Sequence, residues 1–165
     1  MTFLPRLLAN SLVHPLKTTR IVILASQFNQ PISRALVHGA TDVLRRHGVA
    51  ARHLRLVWVP GAFELPVVAV RVARNRPRPD AIVAPGVLIR GQTCQHEVIA
   101  HAVAQGLSQV SVNTGVPVTF GVVVANTYAQ AKARAGGAMG NRGTEAALAA
   151  IAVLRVLKRV SMSHA

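Results

Sequence analysis

The run Ile21-Val22-Ile23-Leu24-Ala25 is apolar, largely β-branched and without polar alternation. Such a strand has to be covered on both faces, which places it inside a parallel sheet flanked by helices. The rest of the chain keeps that rhythm. Residues 31–47 set Ile32, Leu36, Ala40, Val43 and Leu44 on one helical side, with Gly48 as the stop. His53 to Val59 reads as a second strand, Leu65 to Ala73 as a helix, and Ala81 to Ile89 as a third strand interrupted in character by Pro85-Gly86. Residues 95–106 have helical spacing that ends at Gly106, and Val116 to Val124 gives a fourth strand. Two further helices, 127–135 and 143–158, are separated by Gly136-Gly137 and Gly140-Asn141. Strands alternating with helices imply right-handed crossovers, hence a three-layer α/β/α sandwich. The expectation is a flavodoxin-like sheet of four to five mainly parallel strands.

The 165 residues suit one domain, divided here into an arm over 1–19, the domain proper over 20–160 and a tail over 161–165. Pro5 and Pro15 break the apolar stretch of the first nineteen residues, so these read as an arm on a neighbouring subunit rather than a targeting signal. No apolar run reaches the roughly 18 residues of a membrane span, which argues against a membrane role. Cys94 is the one cysteine. It excludes an intrachain disulfide and points to a reducing, cytoplasmic setting.

Only five residues are acidic, Asp42, Glu64, Asp80, Glu97 and Glu145, against a net charge of +14. Either an anionic partner or a general preference for arginine would account for that excess. The cationic residues are scattered and not interleaved with aromatics, so no specific nucleic-acid groove is expected.

The unusual residues fall just after the strands. Phe28 and Asn29 come after the first, Gly61-Ala62-Phe63-Glu64 after the second, and Arg90-Gly91-Gln92-Thr93 after the third. In an open parallel sheet these positions meet at one rim, where ligands bind. Pattern alone therefore locates a site without giving its chemistry.

Four segments carry a resemblance: Trp58-Val59-Pro60-Gly61-Ala62-Phe63-Glu64, Ile89-Arg90-Gly91-Gln92-Thr93, Val116-Pro117-Val118-Thr119-Phe120-Gly121, and Arg134-Ala135-Gly136 with Gly140-Asn141-Arg142-Gly143. In this order and spacing they resemble the lumazine synthase family over roughly residues 20–155. The resemblance implies a transferase of riboflavin biosynthesis. It would condense 5-amino-6-(D-ribitylamino)uracil with 3,4-dihydroxy-2-butanone 4-phosphate to 6,7-dimethyl-8-ribityllumazine, releasing phosphate and water. No cofactor and no metal would be needed.

Carried over residue by residue, the resemblance makes Phe28 the stacking partner of the pyrimidine, where its flat face would gain from a dry pocket. Read without it, Phe28 is a core residue at a strand end. Asn29 would bind the ribityl chain or cap the next helix. Glu64 would hold ribityl hydroxyls, and Gly61 and Ala62 would let backbone N–H groups approach the ligand. Phe63, Val87, Leu88 and Ile89 complete that set, with Phe120 reaching the pocket of a neighbouring subunit. Gly91, Gln92 and Thr93 would cradle the phosphate ahead of a helix N-terminus, completed by Arg134 and Arg142 through planar guanidinium forks. A further lysine common among relatives is Ala138 here.

One position departs. The family histidine falls on Gln95, and a histidine stands next to it at His96. Glutamine can orient a substrate but cannot exchange a proton at neutral pH. Either His96 replaces the missing catalytic group, which requires a shifted helix start because adjacent helical residues diverge by about 100°, or proton transfer passes through water and substrate phosphate. A surface-helix residue beside Glu97 is the plain alternative for His96.

The resemblance also implies a homopentamer, with a decamer or a 60-subunit shell as larger forms, and riboflavin synthase as a partner beside the small-molecule substrates; the excess positive charge would suit anionic cargo. Two other functions stay open on sequence: a non-catalytic lumazine- or flavin-binding paralogue, and a cargo-holding shell protein.

Overall fold

The computed structural model describes residues 16–162. The expected arm therefore lies mostly, and the tail partly, outside the described residues. Strand β1 spans Ile21–Ser26, β2 Leu54–Val59, β3 Ala81–Ile89 and β4 Val118–Ala125. They form one parallel sheet in the order β2-β1-β3-β4. Helices α1 (Gln30–Arg46), α2 (Leu65–Arg74), α3 (Gln95–Thr114), α4 (Tyr128–Ala133) and α5 (Arg142–Met162) alternate with the strands. The three-layer, flavodoxin-like expectation is met.

Alternate residues of β1 explain the layering. Ile21, Ile23 and Ala25 face α1 and α5, whereas Val22 and Leu24 face α2 and α3. Each group is buried in its own cluster, so the strand is apolar throughout. Full burial of one such Ile or Leu contributes about 1.5–3 kcal/mol.

Two stretches differ from the sequence reading. Helix α3 does not end at Gly106 but continues to Thr114, capped by Gly115 in the left-handed region at φ 68°. Gly106 serves packing instead. A Cβ there would lie 2.8 Å from Cβ of Pro66, so the glycine is what lets α3 press against the start of α2. The second difference is after α4. The glycines between residues 135 and 141 are not a plain loop but a short antiparallel hairpin, β5 (Ala135–Gly137) with β6 (Gly140–Asn141). Asn141 anchors it: Nδ2 donates to the carbonyl of Ala35 in α1 at 2.9 Å, while Oδ1 accepts the amides of Gly143 and Thr144 and caps α5.

The ladder between β1 and β3 is short. It ends at Ile23 and Val83, although both strands run on. Pro85 would fall opposite Ala25 and has no N–H with which to continue it. The β3–β4 ladder continues to Ile89 and Ala125. The hydrogen-bonded ladder therefore stops short between β1 and β3, although the strands stay side by side: a Cβ on Gly86 would lie 2.9 Å from Oγ of Ser26. This is also where the strand order reverses.

Candidate active site

Beyond the carboxyl ends of the strands lies a cavity of about 460 Å³. It is lined by Phe28 after β1, by Gly61, Ala62, Phe63 and Glu64 after β2, and by Val87, Leu88 and Ile89 at the end of β3. Gly91, Thr93, Gln95 and His96 close it from the α3 side. Ile99, one turn into α3, also lines it and was missed in the sequence because it reads as an ordinary helix core residue. The cavity volume falls within the range of about 300–1,000 Å³ that suits small organic ligands.

Each wall is placed by local geometry. The amide of Gln27 donates to the carbonyl of Val59 at 2.8 Å and that of Phe28 to Pro60 at 3.2 Å, carrying the β1–β2 ladder past both strands. Asn29 then turns the chain in a left-handed conformation, φ 54°, at the N-cap of α1. Its side chain makes no cap bond; the hydroxyl of Ser33 instead donates to the carbonyl of Phe28 at 3.0 Å. Phe28 is thereby held outward with 67% of its surface exposed, which overturns the core reading. Phe63 is similarly exposed.

Glu64 closes on its own turn. Its Oε2 accepts the amide of Gly61 at 2.9 Å. That N–H is thus engaged by Glu64 rather than free for a ligand, and it fixes the carboxylate at the cavity wall.

His96 is 7% exposed, so it is not a surface-helix residue. Although it is the second residue of α3, it lines the cavity together with Gln95. No shifted helix start is needed: the site wraps around the helix end and meets both neighbours. Nε2 approaches Oε1 of Glu97 at 3.8 Å, too far for a hydrogen bond. Nδ1 is buried and finds no hydrogen-bond partner among the described residues. An unpaired buried nitrogen costs about 1–3 kcal/mol.

The remaining predicted residues stand apart from this wall. Asn29 and Gln92 adjoin lining residues without lining the cavity themselves. Phe120 sits in mid-strand opposite Ala84, half-buried against the cluster under α2 and α3. Arg134 and Arg142 flank the hairpin on either side. Nη2 of Arg134 donates to Oε2 of Glu145 at 2.8 Å and Nη1 of Arg142 to the same oxygen at 3.0 Å. Burial pushes the Glu145 carboxyl up, but the bonds from Arg134 and Arg142 outweigh it and hold the group below its ordinary value. One carboxylate thus anchors two guanidinium groups and leaves a surplus of positive charge.

Among the described residues no group of three or more His, Cys, Asp or Glu side chains could hold a metal ion. No described helix is long and apolar enough to cross a membrane.

A flat exposed aromatic, a fixed carboxylate and a buried histidine thus surround one cavity. The family described as 6,7-dimethyl-8-ribityllumazine synthase matches residues 18–158. The chain belongs to the lumazine synthase family. A 6,7-dimethyl-8-ribityllumazine synthase of Halorhodospira halophila is 43% identical over 145 residues, covering 88% of this chain and 92% of that relative. One of Leuconostoc mesenteroides subsp. mesenteroides is 38% identical over 141 residues, covering 86% and 90% respectively. With lumazine synthases matched over nearly their full length, the chain is a transferase of riboflavin biosynthesis acting on small-molecule substrates.

Proposed function

We propose that this lumazine synthase condenses 5-amino-6-(D-ribitylamino)uracil with 3,4-dihydroxy-2-butanone 4-phosphate, using His96 in place of the family histidine. The observation that carries the assignment is the burial of His96 in the same cavity as Phe28 and Glu64. The pyrimidine stacks on Phe28, and Glu64 accepts hydrogen bonds from the ribityl hydroxyls. The 5-amino group attacks the ketone to form an imine. Phosphate is eliminated, the ribitylamino nitrogen closes the ring, and water leaves. His96 shuttles the protons of these steps, and Gln95 beside it orients the substrate through its amide.

The phosphate lies at Gly91, Gln92 and Thr93, ahead of α3. Arg134 and Arg142 complete this site from a neighbouring subunit, as does Phe120 for the ring. None of the three lines the cavity of its own chain, which supports a site shared between subunits. A homopentamer in the cytoplasm is the corresponding assembly, built from a core domain over 20–160.

The test is to mix purified protein with both substrates and follow lumazine fluorescence. His96→Ala should lower kcat by about a hundredfold or more, in line with general acid–base catalysis, and Arg134→Ala should raise KM for the butanone phosphate. Product formation no faster than the spontaneous reaction, with lumazine or riboflavin still bound, would replace this reading by that of a binding protein. Undiminished kcat in His96→Ala would return proton transfer to water and substrate phosphate.

A further inference from the structure

At the opposite edge of the sheet, where the strands begin, a second cavity of about 380 Å³ opens. Six residues of β1 separate the two edges, about 20 Å at about 3.3 Å each. Arg20 precedes β1, Arg52 and His53 form part of the single 3₁₀ turn before β2, Arg55 lies in β2, and Asn75 and Arg76 come after α2. All six line the cavity. Four arginines thus line one concavity.

Among the described residues none of these four side chains is paired with a carboxylate. Asp80 accepts the backbone N–H of Arg20 at 2.7 Å and offsets one of the four charges. Like charges around one cavity repel one another, and an anion between them relieves that repulsion. A single phosphate monoester carries about −1.5 to −2, too little for the charge that remains. Guanidinium forks suit phosphate oxygens two at a time. The other wall is apolar, lined by Val72, Pro77 and Pro79, of which the exposed Pro77 offers a surface to a flat organic group.

We propose that this arginine-lined cavity binds a small organic molecule carrying two or more phosphate groups. Binding there is independent of the reaction at the other edge.

Calorimetric titration of the full chain with ADP, pyrophosphate and inorganic phosphate, at near-physiological salt, tests it. One saturable site per chain is expected for ADP and pyrophosphate, with ADP at least as tight and inorganic phosphate at least tenfold weaker. Arg52→Ala with Arg55→Ala should weaken ADP at least tenfold while the melting temperature holds. Arg76→Ala, in a separate loop, should weaken it independently, and Arg134→Ala should leave it unchanged. The proposal is overturned by any of three results: no saturable binding, binding indifferent to Arg52, Arg55 and Arg76, or binding lost in Arg134→Ala. Pyrophosphate binding without ADP binding overturns the organic part.

Discussion

Arg134 and Glu145 are joined at 2.8 Å across the β5–β6 hairpin, and the same carboxylate oxygen also receives Arg142. Glu145 is therefore a positioning residue for two cations rather than a neutralising one. Glu145→Gln should keep a weaker acceptor and leave the guanidinium groups less well placed. Kinetics should show a several-fold rise in KM for the phosphate-bearing substrate with little change in kcat. A kcat loss without a KM change would count against a phosphate role for this cluster.

The same contact predicts a pH dependence. The Glu145 carboxyl is held below its ordinary value in the folded chain. Its contribution is thus present above the unfolded value and is lost as pH falls through the folded one. Part-exposed pairs of this kind contribute about 1 kcal/mol or less. Denaturant titrations of wild type and Glu145→Gln should converge as the pH is lowered from about 6 to about 3.

Phe28 is exposed in the chain and belongs to the cavity. Phe28→Ala should leave stability within about 0.5 kcal/mol, as for other surface changes. Ligand affinity should fall by about 0.5–1.5 kcal/mol, the loss of one stacked ring. Fluorescence titration with lumazine, beside a thermal melt, separates the two effects.

Gly106 gives the opposite pattern. Alanine would favour the helix by about 1 kcal/mol, but its Cβ would meet Cβ of Pro66 at 2.8 Å. Overpacking typically costs about 1–3 kcal/mol, so Gly106→Ala should be net destabilising despite its helix preference. A rise in melting temperature would show that α2 moves aside freely.

Much of the fold was legible in the sequence because the β1 and β3 runs are apolar throughout and leave little choice but a covered parallel sheet. The rim residues Phe28, Gly61 to Glu64 and Gly91 to Thr93 were legible for the same reason, since they come directly after strand ends. Gly106 misled because a glycine in a helical pattern reads as a stop, and its close neighbour Pro66 is forty residues away. The burial of His96 was equally hidden. Helical phase compares a residue with its own helix, whereas the cavity approaches this one at its end. Phe120 and Arg134 were assigned by resemblance, because nothing in helical or strand periodicity marks either residue.

The halt of the β1–β3 ladder at Ile23 and Val83 has a wider meaning. By withholding one amide proton, Pro85 leaves the carboxyl-terminal halves of β1 and β3 adjacent but unbonded. Packing takes over there: Gly86 has no side chain, and Oγ of Ser26 comes within 2.9 Å of where its Cβ would stand. Hydrogen bonds thus fix these two strands where they begin, and side-chain contact fixes them at the end that carries the cavity.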